Sequence, residues 1–304
     1  RYTGGKTLMD EGPGHPRSLQ ESTEDALSES VRLCERWHGE AGGRLRYAFS
    51  PRFVLSASEK AVRGCVEEAR RRGALLHTHS SESRGEIELV ESRTGLTNVA
   101  FLHELGFTGR DVVLAHGVWL SPGDRQILRQ SQTTIAHCPS ANLKLASGIA
   151  PVEELLAEGI RVALGADGAA CNNTLDGFLE MRLAALLQKV QKGPKALPAA
   201  TALRLATRNG ARALGLSGVG SIAPGQKADI VLLDTHRPHL HPQHADLASR
   251  VVYSAKSSDV HTVIVDGRVL VEDARLQHAD LGEILEGADR AAAALDPGAP
   301  GQGG

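Results

Sequence analysis

Short apolar and β-branched runs alternate with helical segments in the first half of the chain, and this alternation constrains the fold most strongly. The predicted strands cover residues 45–49, 74–78, 112–115, 133–136 and 161–166. Helices between successive strands are typical of βα units, in which the strands pair in parallel. One helix is predicted between an N-cap at Ser58 and a stop at Gly73, and another between Pro151 and Gly159.

Four of these strands run into a side chain that can bind a metal ion. His79, His116, His137 and Asp167 follow the second to the fifth strand. In a parallel β/α barrel the carboxyl ends of the strands meet at one edge and carry the chemistry. An open doubly wound sheet would also bind its ligand at strand ends, but the sequence shows no glycine-rich phosphate loop after a strand. The pattern therefore favours a barrel.

The number of strands falls short of a closed barrel, which has eight strands in about 250 residues. Residues 21–37 are predicted to form one helix, and the residues before them have room for at most the end of a strand. The chain also begins at Arg1 rather than at a methionine. We therefore expect residues 1–216 to form a partial barrel whose first three strands precede Arg1.

A second unit is predicted from Ser217 onward. The apolar run 228–234 is followed by 261–265, which leads into the hairpin-type dipeptide Asp266-Gly267 and the run 269–271. We expect a small β module with its linker over residues 217–280, and a terminal helix and disordered tail over 281–304. Four histidines in the proline-rich link are predicted to be mostly solvated rather than metal ligands; they are His236, His239, His241 and His244.

The charge balance and the cysteines narrow the class of partner. Thirty-four basic and 36 acidic residues give a net charge of −2, which offers no excess charge to nucleic acid or to an anionic membrane. No apolar stretch of about 18 residues is present to span a bilayer. The four cysteines are widely spaced without a C-x-x-C pair, which predicts a reducing, cytoplasmic compartment. A small-molecule partner is favoured.

His79 and Glu82 form the most useful pair for chemistry. Neutral imidazole binds Zn²⁺ or Fe²⁺ well, and a nearby carboxylic acid that is not itself a ligand can move the proton of a bound water. The alternative for His77 and His79 is two strand histidines satisfied by hydrogen bonds. His116 precedes Gly117, which lets a ligand approach the backbone.

Each remaining candidate has a structural alternative. His137 contacts substrate or is a buried histidine, and Asn172 binds a polar ligand or shapes a loop. Asp167 follows an apolar strand, where a carboxylate without a cation is costly to bury; its alternative is an N-cap. The sequence has no H-E-x-x-H helix, no G-x-S-x-G elbow and no P-loop, and Cys138-Pro139 lacks the second cysteine of cytidine-type deaminases.

Taken in order, these segments resemble the amidohydrolase superfamily, and within it the branch of guanine deaminases, S-adenosylhomocysteine and 5′-deoxyadenosine deaminases, and triazine (chloro)hydrolases. Gly220-Ser-Ile-Ala-Pro-Gly-Gln-Lys-Ala-Asp-Ile-Val is similar to the C-terminal half of the family's β-sandwich, so the resemblance covers nearly the whole chain. The segments at the strand ends are His79-x-x-Glu82, His116-Gly, His137-Cys-Pro-Ser-Ala-Asn-Leu-Lys-Leu-Ala-Ser-Gly and Leu-Gly-Ala-Asp167-Gly-Ala-Ala-Cys-Asn-Asn.

The resemblance implies an α/β fold, a (β/α)8 TIM-like barrel, and hydrolytic deamination of a purine, an adenosine-like nucleoside or a related heterocycle. It implies one divalent metal ion, zinc or else iron. The implied metal ligands are His79 and Asp167, and the implied catalytic residues are Glu82, His116 and Asp167. The implied substrate-binding residues are Arg52, His137 and Asn172, with a surface ion pair as the alternative for Arg52.

The sequence departs from the family at its beginning. The first strand of the family carries an H-x-H that supplies two further metal ligands, and nothing before His77 fills this role, since His15 and His38 are isolated. We therefore expect an N-terminally truncated chain with an incomplete metal site. A triazine-type (chloro)hydrolase and a non-catalytic barrel fragment stay open, although Glu82 favours deamination over dechlorination. The resemblance implies a homodimer as the typical assembly.

Overall fold

A computed structural model describes residues 1–12, 19–243 and 246–295. Its strands are β1 (Tyr2–Gly4), β2 (Thr7–Leu8), β3 (Leu45–Pro51), β4 (Leu75–Ser80), β5 (Val112–His116), β6 (Thr134–His137), β7 (Arg161–Leu164), β8 (Ile230–Leu233), β9 (Val260–Val265), β10 (Arg268–Glu272) and β11 (Arg275–Leu276). Its helices are α1 (Thr23–Trp37), α2 (Glu40–Gly43), α3 (Glu59–Arg72), α4 (Arg84–Thr94), α5 (Asn98–Glu104), α6 (Pro122–Ser131), α7 (Pro139–Lys144), α8 (Val152–Ala157), α9 (Ala169–Asn172), α10 (Gly177–Lys192), α11 (Ala199–Arg204), α12 (Gly210–Ala213), α13 (Leu247–Tyr253) and α14 (Leu281–Leu295). A π-helical segment, Leu205–Asn209, connects α11 to α12.

A parallel sheet in the order β1-β3-β4-β5-β6-β7 forms the first part of the chain, and β2 also pairs with β3. All five predicted strands are present. The sheet has one more, because β1 and β2 lie along the same edge of β3, where Tyr2 pairs with Leu45 and Leu8 with Pro51. These two short strands occupy the place where only the end of a strand was expected, and the sheet is the partial barrel that the sequence predicted.

The two faces of this sheet differ in the size of their side chains. Leu76, Leu114 and Ile135 are fully buried in the main core, which also contains residues of the covering helices. The residues that alternate with these along the strands lie on the opposite face and are smaller, such as Ala136 and Ala163. Since side chains alternate between the faces of a strand, the helices cover one face and the other lines the inside of the partial barrel.

The predicted helix boundaries follow the capping residues. Ser58 is the N-cap of α3 and accepts a hydrogen bond from Ala61 N, and Gly73 ends the helix with φ of 65°. Pro151 occupies the N-cap position of α8 rather than its first helical position. α3 packs beside β3 and β4, the strands that precede and follow it, and α8 packs beside β7, the strand that follows it.

The C-terminal module is an antiparallel sheet in the order β11-β10-β9-β8. Asp266 and Gly267 form its predicted turn with φ of 55° and 78°, and β11 is a strand that the sequence did not indicate. α13, which precedes this module's β9, packs on α10 and α11. The boundaries at residues 216 and 280 stay predictions.

Several expectations fall outside the described residues, namely those for His15, His244 and the tail from residue 297. All four cysteines are free, as the reducing compartment would require, although the cytoplasmic location stays a prediction. Within the described part of the chain, no helix combines the length and the apolar character needed to cross a membrane.

Asp10 ties the segment after β2 to the start of α3. Its Oδ1 accepts a hydrogen bond from Ser58 N at 2.7 Å, and its Oδ2 accepts from Ser58 Oγ at 2.6 Å and from Thr23 Oγ1 at 2.5 Å. Burial raises the pKa of Asp10, but the hydrogen bonds from Ser58 and Thr23 outweigh it and hold the pKa below its ordinary value of 3.8.

We expect Asp10→Asn to lower the free energy of unfolding by about 1–2 kcal/mol near neutral pH, because it replaces a charged acceptor. The folded pKa lies below the unfolded one, so the stabilisation is present above 3.8 and is lost as the pH falls through the folded value. Urea titrations from about pH 7 to about pH 3 should show the difference from wild type shrinking at the acid end. The exposed Asp289→Asn is the control, and a difference that stays constant with pH would contradict this origin.

Candidate active site

A residue with a strained backbone conformation lies at or just after the carboxyl end of each of the strands β4, β5 and β7. Ser80 pairs with His116 across β4 and β5, which places these ends side by side. Ser81, His116 and Asp167 have φ of 57°, 75° and 63°, the left-handed region that non-glycine residues rarely adopt. Each such residue costs about 1–3 kcal/mol, and they cluster at functional sites. The strain marks the edge where the sequence places the site.

The imidazole of His79 is held in one tautomer. Its Nδ1 donates to the backbone carbonyl of Arg52 at 2.6 Å, and the same carbonyl accepts from Thr78 Oγ1 at 3.1 Å. Because Nδ1 carries the proton, Nε2 keeps its lone pair. Histidine ligands of metal ions are typically oriented by such a hydrogen bond from the other ring nitrogen.

Glu82 and His116 face each other beside His79. The rings of His79 and His116 stack with their centroids 5.4 Å apart, and His116 Nε2 lies 3.6 Å from Glu82 Oε2. Asn142 Oδ1 accepts from His116 Nδ1 at 2.8 Å, which leaves Nε2 turned toward the carboxyl group. Ser147 Oγ donates to Glu82 Oε1 at 3.2 Å. The structure thus brings together the three predicted residues that would bind a metal and move a proton.

His77 lies beside this group in its neutral form. Burial lowers the pKa of His77 to about 4, the imidazoles of His79 and His116 act in the same direction, and the charge of Asp167 opposes them. The first of these effects dominates. His77 is therefore neutral near pH 7.

Asp167 follows β7 and precedes the short helix α9. Its Oδ1 accepts from Gly168 N at 2.7 Å, and Gly168 rather than Asp167 is the N-cap residue of α9. Burial raises the pKa of Cys171, and the negative charge of Asp167 acts in the same direction. Within the described residues, no group of three or more histidine, cysteine, aspartate or glutamate side chains forms a metal site.

His137 is fully buried at the end of β6. Neither ring nitrogen has a hydrogen-bond partner among the described residues. Burial, with a smaller effect of His116, lowers the pKa of His137 to about 3, so the ring is neutral. The alternative of a buried histidine bonded to a carbonyl is therefore not seen in the described part of the chain, and contact of His137 with substrate stays a prediction.

Arg52 and Asn172 differ in how freely their side chains can meet a ligand. The exposed guanidinium of Arg52 lies 5.0 Å from the ring of Phe53, and no acidic partner is found for it among the described residues. Asn172 is buried, and its Nδ2 donates to Ala166 O and to Glu180 Oε1, both at 2.8 Å. Asn172 therefore supports its loop, while substrate binding by Arg52 and by Asn172 stays a prediction.

Sequence reasoning missed several residues that hold this site. Glu86 Oε2 accepts from Glu82 N at 2.7 Å, and burial raises the pKa of Glu86. Ser83 and Glu86 form a capping box, so the S-x-x-E spacing could have indicated this contact. Asn142 in α7 contacts His116, and Ser147, which follows that helix, contacts Glu82. Both lie far from their partners in sequence, and no short-range pattern marks them.

Two curated relatives are similar to most of the chain. The 5′-deoxyadenosine deaminase of Methanosarcina acetivorans is 45% identical over 277 residues, which are 91% of this chain and 64% of the relative. The 5-methylthioadenosine/S-adenosylhomocysteine deaminase of Pelotomaculum thermopropionicum is 46% identical over 271 residues, 89% of this chain and 62% of the relative. The chain thus spans somewhat less than two thirds of these proteins.

Solved structures show the same fold. An adenosine deaminase from Xanthomonas campestris with bound zinc has a TM-score of 0.89 at 28% identity, covering 97% of this chain and 66% of that one. The atrazine chlorohydrolase TrzN from Arthrobacter aurescens TC1, complexed with zinc, has a TM-score of 0.88 at 28% identity, covering 95% and 65%. The partial parallel sheet therefore has the architecture of a TIM-like barrel.

The profile of the Amidohydrolase family matches residues 1–270, which include the parallel sheet, its strand-end residues and most of the antiparallel module. The strand-end order of histidines and aspartate predicted this result, and the two relatives agree with it. The chain belongs to the Amidohydrolase family.

Proposed function

We propose that this chain supplies most of a site for the hydrolytic deamination of an adenosine-like nucleoside. The observation that carries the proposal is the group formed by His79, Glu82 and His116, in which an oriented imidazole lies beside a carboxyl group and a second imidazole. The names of the two relatives support a 5′-modified adenosine as the substrate class.

His79 and Asp167 would hold one divalent metal ion, with zinc the first choice. The donors fit in type, since His79 Nε2 keeps its lone pair and the Asp167 carboxylate has no cationic partner among the described residues. They fall short in number, since a catalytic zinc typically has three protein ligands. When bound, the cation supplies a Lewis acid and lowers the pKa of water at the site to about 7.

The side chains of this chain would position the water and move its protons. Hydrolytic deamination adds the oxygen and one hydrogen of water to the substrate and transfers the other hydrogen to the departing amino group, which leaves as ammonia. Glu82 would carry a proton to the ring nitrogen and to this amino group. His116, fixed through Asn142, turns Nε2 toward the same space. Asp167 serves as the base for water.

The experiment compares the 304-residue chain with a version extended upstream of Arg1 to the length of the relatives. We expect near-stoichiometric zinc in the extended version, with ammonia released from 5′-deoxyadenosine or 5′-methylthioadenosine faster than from guanine or a triazine. Faster turnover of guanine or a triazine would overturn the proposed substrate class. If neither protein bound metal or released ammonia, the proposed deaminase activity would be overturned, and a non-catalytic barrel would be favoured.

A further inference from the structure

Glu180 is a buried carboxylate that the proposed chemistry does not use. It lies in the first turn of α10 and is only 1% exposed. Its oxygens accept three hydrogen bonds, from Ser140 Oγ, from Ser140 N at 3.2 Å and from Asn172 Nδ2 at 2.8 Å. No basic side chain pairs with it among the described residues. Burying an unpaired carboxylate is costly, so this arrangement calls for a reason other than packing.

The partners of Glu180 belong to two different strand ends. Ser140 is in the first turn of α7, three residues after His137 at the end of β6. Asn172 is the last residue of α9, and its Nδ2 also donates to the carbonyl of Ala166, the residue before Asp167. One carboxylate thus connects the segment that follows β6 to the segment that contains Asp167.

The segment from Asp167 to Leu175 needs such support because of its backbone. Asp167, Asn173 and Leu175 have φ of 63°, 69° and 50°. Left-handed conformations in non-glycine residues persist only when surrounding contacts determine them. Asn172 supplies those contacts, since its Oδ1 accepts from Leu175 N at 2.8 Å while Glu180 holds its Nδ2.

We propose that Glu180 is a positioning residue, which fixes the 167–175 segment against the end of β6 and thereby sets the place of the Asp167 carboxylate. The importance of Glu180 for turnover rests on the proposed function, but its positioning of the 167–175 segment does not. This positioning can be measured without metal or substrate.

The chain offers its own reporter and a matched control. Cys171 lies inside the segment and is half-buried, whereas Cys34, Cys65 and Cys138 are buried elsewhere. Gln188 is a fully buried polar residue on the same helix, and its side chain donates to Ala150 O at 2.9 Å and accepts from Glu153 N at 3.0 Å. Gln188→Leu therefore removes comparable buried hydrogen bonds away from the segment.

The test measures how fast dithiobis(nitrobenzoate) modifies the thiols in the 304-residue chain, with Cys171→Ser to assign the reacting group. We expect Glu180→Leu to accelerate one thiol equivalent, that of Cys171, by about tenfold or more, and Glu180→Gln to accelerate it less because it keeps one acceptor. Hydrogen exchange should rise at the amides of Cys171, Asn172 and Asn173, which bond within α9.

Gln188→Leu should leave the Cys171 rate within about twofold of wild type. Equal acceleration in Gln188→Leu and Glu180→Leu would overturn the proposal, because any loss in α10 would then have the same effect. Simultaneous reaction of all four thiols in both Glu180 variants would also overturn it, since Glu180 would then stabilise the whole fold. An unchanged Cys171 rate in Glu180→Leu would show that the segment holds its place without the carboxylate.

Discussion

Replacing Glu82 with glutamine should lower the rate of ammonia release in the extended protein by about 10²–10⁴-fold, the usual contribution of a general acid–base residue. The amide keeps the size of the side chain and can still accept the hydrogen bond from Ser147 Oγ. It cannot carry a proton between water and the leaving amino group. The loss should fall on kcat, while zinc content stays unchanged because Glu82 is not among the proposed ligands.

The matched control is Glu88→Gln, the same chemical change at an exposed position of α4. It should leave the rate of ammonia release and the zinc content within about twofold of wild type. Ammonia is measured by a coupled assay at saturating 5′-deoxyadenosine, and zinc by elemental analysis. If Glu82→Gln kept most of the rate of ammonia release, the proposal that Glu82 transfers the proton would be wrong, and another group would have to transfer it.

The fold was predictable where local patterns and packing agree. The five longer parallel strands contain apolar residues that pack in the main core, such as Leu76 and Ile135, so their hydrophobic runs identified them. β1 and β2 have three and two residues and are separated by Gly5 and Lys6. Their strand character comes from pairing with β3 rather than from their own sequence, which is why only a strand end was expected there.

The site was predictable to the extent that chemistry follows strand ends. His79, Glu82 and His116 come together as expected because parallel strands bring their carboxyl ends to one edge. The residues that orient them lie far away in sequence, as Asn142 of α7 does from His116. For Asn172 the residue type alone left both a ligand contact and a loop contact open, and the structure supplies the loop contact with Leu175 N.

Asp167→Asn should lower the zinc affinity of the extended protein by at least about 100-fold, the upper range for losing even a residue that supports a ligand. The substitution is compatible with the backbone conformation at this position. Asp167 has φ of 63°, and asparagine adopts the left-handed region about as readily as aspartate, whereas alanine would add strain. The amide also keeps an oxygen to accept from Gly168 N. What is lost is the negative charge.

Asp273→Asn separates the loss of charge at the site from the general effect of this substitution. Asp273 is an exposed aspartate with φ of 49° in the turn between β10 and β11, so the backbone requirement is matched. Both variants should unfold at wild-type temperature without metal, and only Asp167→Asn should lose zinc, as competition with a chromogenic chelator would show. Full zinc affinity in Asp167→Asn would mean that Asp167 is not a ligand, and the proposed half-site would then rest on His79 alone.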